Sequence, residues 1–161
     1  MTSEEKAYIA GFLDGDGSVM ATIEPHAELK LRYRIRVVVK FSQHEGERAI
    51  LEWIREKIQM GYITNSRSGC ELVIKEKKSL VKLLNDISPY VKIKKTQLNV
   101  ALEILDSLPL SSKKRLIKIA KLADSIGKAN IKSKSRRKHS TKTLLHHFND
   151  PATTDPTVIS R

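Results

Sequence analysis

Ala7-Tyr8-Ile9-Ala10-Gly11-Phe12-Leu13-Asp14-Gly15-Asp16-Gly17-Ser18 begins as an apolar helix and ends in two carboxylates set between glycines. Ala7, Gly11 and Gly15 recur at i, i+4 and i+8, so they fall in one helical stripe. Small residues in such a stripe let a second backbone come close. The Asp-Gly-Asp-Gly run is where the helix is expected to end. A carboxylate then sits at the foot of a closely packed helix. A calcium loop does not fit. Counted from Asp14, the sixth position is Val19 where glycine is needed, and the twelfth is Pro25 where glutamate is needed. Taken alone, the run is an acidic turn, and its meaning depends on what surrounds it.

Upstream, Thr2 and Glu5 have capping-box spacing, and Glu4 and Glu5 suit a helix N-terminus. The helix is expected to reach about Leu13. After Ser18 the apolar period becomes two: Val19, Ala21 and Ile23 alternate with Met20, Thr22 and Glu24, a strand. Pro25 to Lys30 form a loop. The next strand has the clearest alternation in the chain. Tyr33, Ile35, Val37, Val39 and Phe41 line one face, and Arg32, Arg34, Arg36, Val38, Lys40 and Ser42 line the other.

A helix is expected from about Glu45 to Met60, with Ile50, Trp53, Ile54 and Ile58 as its apolar stripe and Gly61 closing it. Tyr62 to Ser66 and Cys70 to Lys75 read as a hairpin around Arg67-Ser68-Gly69. Lys78 to Ser88 is a short helix carrying Leu80, Leu84 and Ile87, stopped by Pro89. Lys92 to Leu108 is another, burying Leu98, Ala101, Leu102 and Leu105. A fifth helix runs from a Ser111 or Ser112 cap to about Ile126, with Gly127 as its stop, and Thr141 to Phe148 form one more short helix. One domain is expected over residues 1–149, and a loose tail over 150–161.

The 161 residues carry a formal net charge of +12 with 40% apolar content. That balance suits a folded core with an anionic partner, most simply nucleic acid. No segment approaches the ~20 apolar residues of a membrane helix, and no signal peptide is expected, since Asp14 and Asp16 interrupt the first apolar run. No membrane role is expected. The single Cys70 excludes an intramolecular disulfide and fits a reducing, intracellular compartment. No Cys/His set has zinc spacing; adjacent His146 and His147 read as solvated helix residues.

Residues 128–142 hold seven Lys or Arg and no acid. The plain reading is a solvated segment; the sharper one is a phosphate-contacting arm that includes Lys132, Lys134, Arg136, Arg137 and Lys138. The second strand adds a cationic face. Three Arg and one Lys at alternate positions suggest a ribbon of positive charge able to hold phosphate or to bond guanine bidentately. Thr22, Glu24, His26, Glu28 and Lys30 beside it, with Thr64, Ser66, Arg67, Glu71 and Val73 on the hairpin, are groups able to discriminate base edges. Twelve residues from Arg32 to Gln43, at ~3.3 Å each, span ~40 Å, or about eleven base pairs. Two subunits cover roughly twenty.

In the form Ile-Ala-Gly-Phe-Leu-Asp-Gly-Asp-Gly-Ser, the opening stretch resembles the motif of the LAGLIDADG homing endonucleases. The chain is similar, from residue 7 to about 108, to the single-motif homodimeric branch encoded in group I introns. The resemblance implies an α+β fold: an αββαββα core with a curved antiparallel four-stranded DNA-binding sheet, followed by C-terminal helices. It implies a metal-dependent, staggered double-strand break in a long pseudo-palindromic target. Mg2+ is the implied cofactor, with Mn2+ as a substitute and Ca2+ supporting binding without cleavage. One motif per chain implies a homodimer joined through Ala7, Ala10, Gly11, Asp14 and Gly15. Asp16 is the implied metal ligand, with the Gly15 carbonyl beside it, and Asp14 serves mainly in the helix end. Gln43 is the implied water-orienting group, and Lys94 stands near the scissile phosphate. The family's further basic residue falls at Glu47, a departure that leaves either neighbouring Arg48 as the substitute or a thinner basic pocket. The implied location is a chloroplast or mitochondrion in a eukaryote and otherwise the cytoplasm. Two alternatives keep the fold: an intron RNA maturase and a non-catalytic DNA-binding protein. Retention of Asp16 favours the enzyme.

Overall fold

Two reciprocal bonds start the first helix. The Thr2 hydroxyl accepts from the Glu5 N–H at 3.2 Å, and the Glu5 carboxylate accepts from the Thr2 N–H at 2.9 Å, so the capping box read from the sequence is formed. The computed structural model describes residues 1–66, 69–130 and 138–149. Arg67, Lys132, Lys134, Arg136 and Arg137, with most of the basic run and the 150–161 tail, lie outside the described residues.

Helix α1 spans Ser3–Asp16 and buries Ile9, Ala10 and Leu13. It outlasts the expected end at Leu13, because the Gly17 N–H closes one more turn on the Leu13 carbonyl. Ion pairs fasten it on two sides: Lys57 to Glu5 at 2.9 Å and Lys6 to Asp86 at 2.8 Å. The Tyr8 ring meets Trp53 edge-on with centroids 5.4 Å apart.

Strands β1 (Gly17–Pro25), β2 (Tyr33–Gln43), β3 (Tyr62–Ser66) and β4 (Gly69–Ile74) form one antiparallel sheet in the order β1-β2-β4-β3. The register runs from Gly17 opposite Phe41 to Pro25 opposite Tyr33, and from Val39 opposite Ile74 to Gln43 opposite Cys70. The alternation of β2 is realised in full: Tyr33, Ile35, Val37, Val39 and Phe41 are all buried and the residues between them are not. They meet Val19, Ala21 and Ile23 of β1 and Leu72 and Ile74 of β4 on the inner face. Each Val, Leu, Ile or Phe among them contributes ~1.5–3 kcal/mol on full burial.

The helices cover that inner face: α2 (Arg48–Ile58), α3 (Lys77–Ile87), α4 (Lys95–Ser107), α5 (Lys113–Ala129) and α6 (Thr141–Asn149). Several boundaries differ from the sequence reading. The expected Glu45 helix begins as a single 3-10 turn over Glu45–Glu47, and α2 stops at Ile58, capped by Gln59, which takes the left-handed conformation ahead of Gly61. Leu51, not Ile50 or Trp53, joins Ile54 and Ile58 as the buried stripe of α2. Helix α4 begins three residues later than Lys92, because the N–H groups of Lys92, Ile93 and Lys94 are held by Asp14 instead. Ile104, not Leu102, completes its buried face. Helix α5 is capped by Ser112 and continues through Gly127 to Ala129. A glycine inside a helix costs only about 1 kcal/mol, and here Ile126 is buried while the Asn130 amide bonds the Val19 carbonyl at 2.6 Å.

Candidate active site and nucleic-acid face

The end of α1 is where distant parts of the chain converge. Asp14, two residues from the end, is half-buried, and its carboxylate accepts from three successive backbone N–H groups: Lys92 at 2.7 Å, Ile93 at 3.0 Å and Lys94 at 2.9 Å. Burial pushes its carboxyl up, but these three donors, with the Lys94 charge, hold it below the ordinary range. The Lys94 ammonium donates to the Asp14 backbone carbonyl at 2.5 Å. A cation at the C-terminus of a helix is also favoured by the helix dipole. Lys94 therefore lies at the last turn of α1, beside Gly15 and Asp16. Asp16 is exposed at the end of the helix. Gln43 closes β2 two residues beyond Phe41, the register partner of Gly17, so it stands at this same end of the sheet. Its side-chain oxygen accepts from the His44 N–H at 2.9 Å.

Asp16, Lys94 and Gln43, named from the sequence, thus occupy one end of the molecule. Arg48 is not joined to them. Its guanidinium is held by Glu45 at 3.1 Å, Glu52 at 3.2 Å and the Asn65 side chain at 3.0 Å. Glu47 is exposed.

Among the described residues, no group of three or more His, Cys, Asp or Glu side chains could hold a metal ion. The oxygen donors at the α1 end are the exposed Asp16 carboxylate and the carbonyl of Gly15. Both are hard donors of the kind magnesium and calcium take, and last-turn carbonyls lack helical partners. They fit part of a coordination sphere, which leaves room for donors from a second chain and from a phosphate.

The helix stripe is open. Ala7, Gly11 and Gly15 are exposed, and a Cβ added at Gly11 or Gly15 meets nothing within 4 Å. Among the described residues, nothing of the same subunit packs on this stripe. Ala10 and Asp14 depart from the expected interface: Ala10 is fully buried in the core of its own subunit, and the Asp14 carboxylate is turned to the Lys92–Lys94 turn. Sequence reading missed Ile93, which is 75% exposed within that turn, and Tyr8 next to the stripe, which is 50% exposed. Ile93 breaks no pattern that would mark it, and only its position beside the motif helix gives it meaning.

The outer face of the sheet differs in two ways from the uniform cationic ribbon. Its charges are mixed across strands. Glu24 takes Arg34 at 2.8 Å, Arg36 at 3.4 Å and the Thr22 hydroxyl at 3.0 Å, and Lys40 pairs with Glu71 at 2.6 Å. Burial raises the Glu24 carboxyl, but Arg34, Thr22 and the Arg36 charge hold it below its usual range. In addition, Arg32 is not part of β2. It has a left-handed backbone, φ 57°, and its guanidinium bonds the Ala27 carbonyl in the β1–β2 loop. Val73 lies between Lys40 and Tyr62 in the register and is 6% exposed, so it offers a base little apolar surface. Thr64 and Ser66 on β3, Glu28 and Lys30 in the loop, and Lys138 are exposed, while His26 keeps its Nδ1 buried without a partner.

Residues 9–93 match the family model described as LAGLIDADG endonuclease. The DNA endonuclease I-CreI of Chlamydomonas reinhardtii is 30% identical over 132 residues, 81% of this chain and 80% of that protein. The DNA endonuclease I-CvuI of Chlorella vulgaris is 30% identical over 123 residues, 75% of this chain and 76% of that protein. The crystal structure of the homing endonuclease I-CvuI in complex with the I-CreI target, with Mg present and the DNA not cleaved, is similar at a TM-score of 0.82 and 26% identity, covering 89% of this chain and 91% of that one. I-CvuI in complex with its own target in the presence of Ca gives the same score and identity over 90% of this chain and 94% of that one.

Proposed function

The chain belongs to the LAGLIDADG endonuclease family, and from that premise we propose how this site-specific DNA endonuclease works: as a homodimer making a staggered double-strand break in a long pseudo-palindromic target. The observation that carries the reading is the Lys94–Asp14 bond, which brings a basic group from 80 residues away to the end of the motif helix. Two copies meeting along Ala7, Gly11 and Gly15 bring two such ends together, one for each strand.

In each half-site Asp16 and the Gly15 carbonyl would hold a divalent ion, which supplies activation of the attacking water and charge stabilisation of the leaving oxygen. Magnesium is the proposed working ion and manganese its substitute, and calcium supports binding without cutting. The hard oxygen donors support this choice. Lys94 neutralises charge that builds on the scissile phosphate. Gln43 aligns the water for attack in line with the leaving oxygen, so that one P–O bond forms as the opposite one breaks. Arg48 is the remaining basic candidate at this end; the pairs with Glu45 and Glu52 keep it off the phosphate in the free protein.

The sheet reads the site. Arg34, Arg36 and Lys40 exchange Glu24 and Glu71 for phosphate or guanine, at little cost, because partly exposed ion pairs contribute only about 0–1 kcal/mol. The carboxylates so released can accept from cytosine amino groups. Lys138 and the basic residues before it add phosphate contacts without sequence preference.

Incubation with a fragment of the host gene that spans the intron-less junction, with magnesium, tests the reading. Both strands should be cut at one position. Absence of cutting together with tight binding of the intron RNA would establish the maturase instead.

A further inference from the structure

We propose that Asp14 is the positioning residue for Lys94: the first acid of the motif sets the place of the phosphate-facing lysine, while the second serves the metal. This rests on the endonuclease reading above and assigns a role to a carboxylate that the mechanism otherwise leaves unused.

The geometry is specific. A carboxylate has room for several donors, and Asp14 fills it with the N–H groups of Lys92, Ile93 and Lys94, all within 3.0 Å. Those three residues are fixed as a turn ahead of α4, whose first residue is Lys95. The backbone carbonyl of the same Asp14 takes the Lys94 ammonium at 2.5 Å. One residue thus fixes both ends of Lys94, its backbone and its charged tip. A lysine side chain has four rotatable bonds and a compact hydrated head, and left alone it samples a wide volume. Here its tip is held one residue from Gly15 and two from Asp16. A phosphate arriving at that helix end meets the ammonium after a small swing of its terminal bonds. The motif helix and α4 are far apart in sequence, so the relative placement of Asp16 and Lys94 depends on this contact.

Asparagine at position 14 keeps the size but has one oxygen, which cannot serve three donors. Three proteins besides the unmodified one test the proposal: Asp14→Asn, Lys94→Met and the double variant. In free protein, amide hydrogen exchange at Lys92, Ile93 and Lys94 is measured. With DNA, affinity in calcium and single-turnover cleavage at saturating substrate in magnesium are compared. Asp14→Asn should expose the three amides, leave affinity within about twofold and slow cleavage by about 10- to 100-fold, the order expected for a misplaced reacting group. The double variant should cut no more slowly than Lys94→Met, because Asp14 acts through that lysine. Additive losses, unchanged amide protection, or cleavage at the unmodified rate would overturn it. Should the asparagine variant not fold, Asp14→Glu restores the charge on a longer stem. Recovered amide protection with recovered cleavage supports the proposal, and recovered protection without cleavage overturns it. Failure of both variants to fold would assign Asp14 to folding alone. The endonuclease reading is tested separately by cleavage with the unmodified protein.

Discussion

At position 69 the backbone takes φ 144°, a region glycine enters freely and other residues do not. A Cβ built there would be driven into the Gln43 carbonyl oxygen and come within 2.9 Å of the His44 Cα. The start of β4, at the turn end of the β3–β4 hairpin, therefore presses on the strand end that carries Gln43. Gly69→Ala should cost about 1–3 kcal/mol from backbone strain, with further loss from the clash. It should also slow cleavage more than it weakens binding, because Gln43 is displaced while the reading face is not. Urea denaturation gives the first quantity, and single-turnover cleavage beside a binding titration gives the second. At this scale the sequence shows residue types and their order. Asp16 stands out in the motif itself, whereas Gln43 and Lys94 are candidates only through the family resemblance, since a strand-end amide and a helix-start lysine are ordinary residues taken alone. The three bonds of Asp14 were not legible, because the partners of a carboxylate are decided by what tertiary packing brings within 3 Å.

Strand β2 was the most legible element, since period-two alternation needs no tertiary information. Its outer face was read too simply for the same reason. Alternation along one strand says nothing of the neighbours across it, and Glu24 and Glu71 come from β1 and β4. The sheet in fact carries its cations with acids attached. Those acids set a threshold for DNA: a phosphate or base must replace Glu24 to engage Arg34 and Arg36. Glu24→Gln should raise affinity for random duplex and steepen its salt dependence by about one charge. The ratio of specific to random binding should fall. Titrations over a range of salt on both kinds of DNA check this, and an unchanged ratio would show that Glu24 takes no part in discrimination. The misplaced start of α4 belongs to this scale as well. Lys92 to Lys94 have helical composition, and their N–H groups are bonded to Asp14 ahead of the helix.

At the scale of the molecule, α1 is fixed to the rest of the subunit by Glu5–Lys57, Lys6–Asp86 and the Tyr8–Trp53 contact, while Ala7, Gly11 and Gly15 face outward. The small-residue stripe was visible in the sequence, and the resemblance implied that it faces a second subunit; that Ala10 beside it is wholly buried in its own subunit was not. Gly11 has open space around it, so Gly11→Leu should leave the subunit folded and block only the approach of a second helix. Sedimentation should then show monomers, with double-strand cutting lost. A variant that stays dimeric and cuts normally would place the interface elsewhere. The central claim divides the labour between two parts of one chain: the sheet binds, and the end of α1 cuts. Asp16→Asn separates them most directly, since it removes one charge at an exposed helix end and leaves every ion pair of the sheet in place. The measurement is a pair of assays on one target, gel shift in calcium and strand cutting in magnesium. Specific binding should persist while cutting falls by orders of magnitude. Cutting at the unmodified rate, or loss of binding in step with cutting, would contradict the account.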